Sequence, residues 1–392
     1  MGPEGKKRIV VCGHLCLDII PAFPPGQGQD YFRPGRLSIV DAAVTATGGA
    51  VSNVGQSLHK LGFPVRLVGK VGKDPFGDIV IQGITRTSPE LARDIISASG
   101  ETTSYSVVIN PPGIDRVFFH CPGANDTFTD SDVPDSVLQG AFLFHFGYPP
   151  IMKGIWMDGG AGLLRLFTRA REAGALTSLD MSLPDPASPS GKVDWQVFLA
   201  SVLPAVDLFL PSIEELLFMS DRSFFEELSS RGGGEAIIRE ITLKQTGLLA
   251  RNAISAGVSA VLIKMGDRGA YLRTGSTGIG ALTGWRDREL YTPVFQVPAV
   301  AGTTGAGDAT IAGFLASVSR DLGPEDALTM AVAVGACCVE KPDATSGIRP
   351  WVETQTRISC GWKRRNATVA EPGWKLLETG VWAGPSDAGA RP

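Results

Sequence analysis

The stretch Ala301-Gly302-Thr303-Thr304-Gly305-Ala306-Gly307-Asp308 runs directly into Ala309-Thr310-Ile311-Ala312-Gly313-Phe314, so a glycine-rich turn opens at once into an apolar helix. Gly305, Ala306 and Gly307 carry almost no side chain. Backbone N–H groups in the first turn of a helix have no partner within it, so this turn presents outward-pointing donors to an anion such as phosphate. Asp308 falls in that first turn. A carboxylate there either caps the helix or takes a proton from a hydroxyl that attacks a bound phosphate. No Gly-Lys-Ser/Thr follows, so the turn is not a Walker A loop. It also lies far from the first strand, where a dinucleotide fingerprint belongs.

Outward from this turn the chain alternates strand and helix. Apolar runs at 8–12, 65–71, 141–146, 176–179, 208–210 and 260–264 read as strands, with a further short run at 17–20. Helical spacing covers 51–61, where Val54, Leu58 and Leu61 share a face, and 161–173, 237–256, 309–320 and 325–339. Such alternation predicts an α/β fold with a mostly parallel sheet covered by helices on both faces. Two stretches, 30–47 and 102–120, alternate instead like exposed antiparallel strands, the second around the turn Asn110-Pro111-Pro112-Gly113. They are expected to pair into a small sheet over a cleft. Periodicity fades after Pro350, which suggests a main domain over 1–350 and an extension over 351–392, with 361–392 a tail or loosely docked segment.

A second glycine motif, Gly48-Gly49-Ala50-Val51-Ser52-Asn53, leads into the first amphipathic helix, and Val68-Gly69-Lys70-Val71-Gly72-Lys73-Asp74-Pro75-Phe76-Gly77 follows it. The glycine pair lets backbone approach a ligand, and Asn53 offers a polyol both a donor and an acceptor. Together the two motifs resemble the N- and C-terminal signatures of the ribokinase-like, PfkB-type carbohydrate and nucleoside kinases. The likeness continues through Gly13 and Asp18, Asp115-Arg116, Pro122-Gly123-Ala124-Asn125, Pro211-Ser212-Ile213-Glu214-Glu215 and Lys264-Met265-Gly266-Asp267-Arg268-Gly269. It covers residues 9–349 in order.

The resemblance implies a three-layer α/β/α sandwich with a small strand lid. It also implies transfer of the ATP γ-phosphate to a sugar hydroxyl, a reaction that asks for positioning and charge neutralisation. Asp308 is then the base, and the Gly305, Ala306 and Gly307 turn the anion hole. Asp18, Gly48, Gly49, Asn53, Arg116 and Asp180 are expected on the acceptor, Gly266, Gly269 and Thr303 on the nucleotide, and Glu215 on Mg2+ through water. The structural alternatives are a helix-capping Asp308 and Asn53, a turn-capping Asp18 and a solvated Arg116. Lys264, ending a strand, is read as an exposed lysine and left out of the site. His120 and Cys121 are placed at the cleft wall without a nucleophilic role.

Three positions depart from the family pattern. Gly302 replaces an acidic residue tied to a monovalent cation site, so activation by such a cation stays open. Thr310 replaces a Phe, and Ser212 replaces the Asn of Asn-x-x-Glu; Glu215 is retained. The first motif lacks the Arg/Lys cluster that a phosphorylated sugar would want. A free pentose or ketohexose is therefore the preferred acceptor, a nucleoside the second. A catalytically weak sugar-binding protein is a further alternative.

Bulk composition narrows the rest. The chain has 392 residues, 43% hydrophobic and 19% charged, which suffices for a large core. A net charge of -4 argues against binding nucleic acid through bulk positive charge. No apolar run approaches the roughly 18 residues of a membrane helix, and residues 1–8 read as charged rather than as a secretory signal. Cys12, Cys16, Cys121, Cys337, Cys338 and Cys360 include no Cys-x-x-Cys pair, so zinc is not expected and a reducing cytoplasm is. An exposed lid edge would offer a pairing surface for a second copy.

Overall fold

The computed structural model describes residues 7–24, 31, 34–35, 37–109, 111, 117–366 and 369–389. Among them, ten strands form one sheet. Val65–Val68, Ile9–Gly13, Leu143–Gly147, Leu176–Leu179, Leu208–Phe209 and Ala260–Lys264 lie side by side and parallel. Ala270–Thr274, Glu289–Thr292, Trp382–Ala383 and Lys375–Leu376 extend it in antiparallel fashion.

The parallel strands are mostly apolar because both faces are covered. Successive residues point to opposite faces, and the core divides accordingly. Ile9, Val11, Leu208 and Leu262 join the core under the helices Gly49–Lys60, Ala306–Ser319 and Pro324–Cys338, packing with Leu58, Leu315 and Leu328. Val10, Phe144, Phe146, Phe209 and Ile263 join the opposite core. There they meet Leu166, Phe198, Leu217 and Ala250 of Ala161–Glu172, Trp195–Val202, Ile213–Ser220 and Leu243–Ser255. This is the three-layer α/β/α sandwich.

A second sheet stands over one end of the first, in the order Asp41–Gly48, Cys16–Ala22, Tyr105–Ile109, Val117–Cys121. Its four strands include Cys16–Ala22, which the sequence marked only as a short apolar run. Asn125 ties the lid to the core: its amide donates to Leu15 O at 2.9 Å and its carbonyl accepts from Leu15 N at 3.2 Å. Within the two stretches expected to form lid strands, the ladder is confined to these elements. Residues 30, 32–33, 36, 110 and 112–116 lie outside the described residues, and with them most of the Asn110–Gly113 turn.

Three other elements differ from their expected form. The apolar run 65–71 divides at Gly69, after which Lys70–Gly72 pairs with Ile96–Ala98 rather than with the main sheet. The helix expected over 237–256 is two, Gly233–Glu240 and Leu243–Ser255. Thr242 starts the second with a reciprocal cap, its hydroxyl accepting from Gln245 N and the Gln245 side chain from Thr242 N. Finally, the segment expected as a loosely docked tail closes the sheet edge. Glu371 accepts from Leu243 N and Lys244 N, Trp362 stacks on Phe295 with ring centroids 4.5 Å apart, and buried Asp387 pairs with Arg288 at 2.7 Å. None of the described helices is long and apolar enough to cross a membrane.

Candidate active site

The helix Ala306–Ser319 begins in a cleft of about 770 Å³ at the C-terminal ends of the parallel strands. Gly305, its N-cap, holds a left-handed φ of 75°, and a Cβ there would run into the Cβ of Ala344. Only glycine fits, which explains the turn in the sequence. Ala306 and Gly307 follow with the helix N–H groups at the cleft wall.

Asp308, 3% exposed, is gripped from two other elements. Asn53 Nδ2, on the helix Gly49–Lys60, donates to Oδ2 at 2.9 Å. The Tyr148 hydroxyl, just past the strand Leu143–Gly147, donates to Oδ1 at 2.8 Å and Oδ2 at 2.9 Å. Burial raises the Asp308 pKa, while these two donors and the Lys264 charge oppose the rise. The N-cap position is Gly305, and Asp308 stands in the first turn with its carboxylate bonded to Asn53 and Tyr148.

Beside it lies a buried charge cluster. Lys264 Nζ donates to Asp180 Oδ1 at 2.6 Å, with the two side chains 12% and 1% exposed. Lys264 is set there by main chain: its N–H donates to Pro211 O at 2.9 Å, and it forms a bridge with Ser212, which starts the helix carrying Glu215. Burial opposes the Lys264 ammonium, but Asp180, Glu215 and Asp308 outweigh it and leave its pKa raised. Burial pushes both Asp180 and Glu215 upward, each countered by Lys264. Three carboxylates thus lie around one ammonium in a low-dielectric site, with Asp180 in direct contact with it and burial raising the pKa of all three. Ser212, in place of the family's Asn, forms a reciprocal cap: Ser212 N donates to Glu215 Oε2 at 2.6 Å and Ser212 Oγ accepts from Glu215 N at 3.2 Å. Asp180 Oδ2 is buried without a partner.

On the lid side, Asp18 stands on the strand Cys16–Ala22 directly against Gly48, where any Cβ would strike its carboxylate. Burial pulls the Asp18 pKa up to about 6. Gly49, at φ 84°, packs on His14. His14 in turn lies 5.2 Å from the lid's His120 and 6.2 Å from Tyr148, ring centre to ring centre. Burial lowers the pKa of His14 well below its ordinary value and that of His120 less markedly, with Asp126 opposing the latter. The other wall of the cleft combines Gly266, Gly269 and Thr303 with Val294, Phe295 and Val297, an apolar slot beside the glycine turn.

The structure therefore gathers Asp308, Gly305, Ala306, Gly307, Glu215, Gly266, Gly269 and Thr303 around one cleft. Asn53 is joined to Asp308 by a hydrogen bond, and Asp18, Gly48 and Gly49 lie on the adjoining lid side. Asp180, expected on the acceptor, is paired with Lys264 at 2.6 Å. Arg116 lies outside the described residues. Two residues were missed. Lys264 is a buried partner of Asp180 rather than an exposed strand end, and its position two residues before Gly266 was the available signal. Tyr148 carried none, since its approach to Asp308 spans 160 residues of chain.

The pfkB family carbohydrate kinase model matches residues 6–351. Among curated relatives, 2-dehydro-3-deoxygluconokinase of Bacillus subtilis (strain 168) is 27% identical over 80% of this chain and 87% of its own. Probable fructokinase-4 of Arabidopsis thaliana is 26% identical over 91% and 98%. Among solved structures, Arabidopsis thaliana ribokinase complexed with ribose and ATP superimposes with a TM-score of 0.67 at 18% identity, covering 90% of this chain and 98% of that one. The chain belongs to the pfkB family of carbohydrate kinases.

Proposed function

We propose that the protein transfers the γ-phosphate of ATP to a hydroxyl of a small free sugar, a pentose or ketohexose, with Asp308 as general base. The observation that carries this reading is the placement of Asp308. It is buried at the start of the helix Ala306–Ser319, bonded to Asn53, between a polar lid-side wall and an apolar slot beside the Gly305–Gly307 turn. In this arrangement Asp308 accepts the acceptor's proton as its oxygen attacks. The Gly305 and Gly307 amides face the charge that develops on the transferring group, while the Ala306 amide, which donates to Thr303 O at 3.2 Å, holds the turn in shape. Gly266, Gly269 and Thr303 line the nucleotide slot. Asp18 and Asn53 hold sugar hydroxyls, with the Gly48-Gly49 backbone close against them.

Among the described residues no three acidic, histidine or cysteine side chains converge into a direct metal site, so the fit to magnesium is a hydrated one: hard carboxylate oxygens, with Asp180 Oδ2 unpartnered. Glu215 and Asp180 would hold the ion, chiefly through water, and it would neutralise triphosphate charge.

The groups near Asp18 and Asn53 favour a neutral acceptor, since Asp18 and Asp308 are acidic and burial disfavours a charge on His14 and His120. The fructokinase name of one relative agrees with this. A nucleoside is the second reading, because the exposed lid ring of His120, backed by buried His14 with ring centroids 5.2 Å apart, offers a face on which a base would stack. The lid strands expose Val44, Phe118 and Phe119, the last two on opposite faces of the sheet, and a second copy of the chain would cover part of this apolar surface. The test is ADP release from MgATP across pentoses, hexoses, sugar acids, sugar phosphates and nucleosides, with wild type and Asp308→Asn in parallel. Turnover on a pentose or ketohexose that vanishes in the variant supports the proposal. Turnover on a nucleoside alone moves it to the second reading.

A further inference from the structure

Tyr148 is an outlier in its backbone. At φ 66° and ψ 43° it occupies the left-handed region that non-glycine residues rarely adopt, and Pro149 and Pro150 follow it immediately. The turn cannot be set by a favourable residue preference, because tyrosine has none for this conformation. What the strained turn achieves is visible in its side chain. The ring enters the cleft and its hydroxyl spans both oxygens of Asp308, at 2.8 and 2.9 Å. Backbone strain of this kind persists where surrounding structure imposes it, and it collects at functional sites.

We propose that Tyr148 is the positioning residue of Asp308: its hydroxyl, bridging both carboxylate oxygens, fixes the plane of the carboxylate and directs its remaining lone pairs toward the acceptor hydroxyl. The proposal rests on the reading of Asp308 as the base. A carboxylate free to rotate would meet the acceptor in many orientations; one held by a bridging phenol and by Asn53 Nδ2 meets it in one. Tyr148 remains a donor, since burial and then the charges of Asp308, Asp180 and Glu215 raise its pKa.

The bond also acts on the charge of the base. Asp308 faces Asp18 and Cys16 from the lid, Asp180 and Glu215 from the strand ends opposite, and Cys338 from the neighbouring helix, with Lys264 as the opposing cation. Against those neighbours and its own burial, the donors Asn53 and Tyr148 favour the ionised form. Loss of the Tyr148 hydroxyl removes one charge-assisted hydrogen bond and moves the base's titration upward in pH.

Tyr148→Phe deletes that hydroxyl and little else. With whichever sugar the wild type turns over, kcat is expected to fall about tenfold while the acceptor KM stays within about twofold. The acid limb of the rate profile is expected to move up by about one pH unit, the size of one hydrogen bond to a charged group. A ligand-free readout needs no acceptor: the titration of the Asp308 carboxyl carbon in protein labelled with 13C-aspartate, assigned by its loss in Asp308→Asn, moves upward by the same amount. Incorporation of 3-fluorotyrosine at 148, a stronger donor, moves both readouts downward. If Tyr148→Phe does not fold, the fluorinated protein decides alone. A folded Tyr148→Phe, or a fluorinated protein, whose Asp308 titration is unmoved overturns the proposal. Full turnover by Asp308→Asn overturns instead the assignment of the base. An inactive Asp308→Asn beside a Tyr148→Phe with wild-type profile leaves the base standing and removes the role of Tyr148.

Discussion

Replacing Lys264 by Met leaves Asp180, Glu215 and Asp308 without the ammonium they share, in a site where Asp180 is fully buried. Removing one partner of a buried ion pair costs about 3–5 kcal/mol. With an unfolding entropy of about 2.1 cal/mol/K per residue, a chain of this length would melt about 4–6 °C lower. The loss has a direction in pH. Burial raises the folded pKa of Asp180 and Glu215, and Lys264 is what counters it. Without Lys264 the folded state therefore binds protons that the unfolded state has released. Stability falls with rising pH wherever the folded state binds more protons. Compared at about pH 5 and about pH 8, the variant should thus lie closer to wild-type stability at the acid value and further from it at the alkaline one. Thermal unfolding of wild type, Lys264→Met and Lys264→Met/Asp180→Asn at both pH values is the assay, with the double variant expected to recover much of the loss. A pH-independent loss in the single variant, or no recovery in the double, would refute the shared-charge reasoning.

Two other residues give separate expectations. Burial pulls the Asp18 carboxyl up to about 6, so its charged form is lost as pH falls through that value. The acceptor KM of the wild type should rise across this range, whereas Asp18→Asn should show a KM raised about tenfold, the scale of one hydrogen bond to a charged group, and flat there. Initial-rate kinetics over the range check it. Asp387→Ala removes one of the two carboxylates that pair with Arg288, Glu325 remaining at 2.9 Å, and neither Asp387 nor Arg288 lines the cleft. It should destabilise by about 1–3 kcal/mol in thermal unfolding, the scale of one hydrogen bond to a charged group, with steady-state constants within about twofold of wild type.

The features readable in the sequence are those encoded locally. A left-handed turn at Gly305 requires glycine, and the parallel strands are apolar because both faces are buried, so each leaves a signature within a few residues. Asn53 was likewise legible from its helix-start motif. What escaped depends on distant chain. Lys264 ends a strand as an exposed lysine would, and only Asp180, 84 residues away, makes it a buried ion-pair partner. Tyr148 adopts a turn that tyrosine does not favour, so no residue preference announces it. The strands Lys375–Leu376 and Trp382–Ala383 are two residues each, too short for periodicity, and exist because Glu289–Thr292 offers an edge to pair with. The split at Thr242 was written in the cap Thr-x-x-Gln, which a reading for apolar spacing alone passes over.

The most direct test of the account is transfer itself, followed by 31P NMR of the products formed from MgATP and the sugar that wild type turns over. The account predicts one sugar phosphate per ADP with wild type. With Asp308→Asn it predicts no detectable product, while calorimetry shows unchanged ATP affinity. Sugar phosphate formed by the variant at the wild-type rate would contradict the assignment of Asp308 as the base.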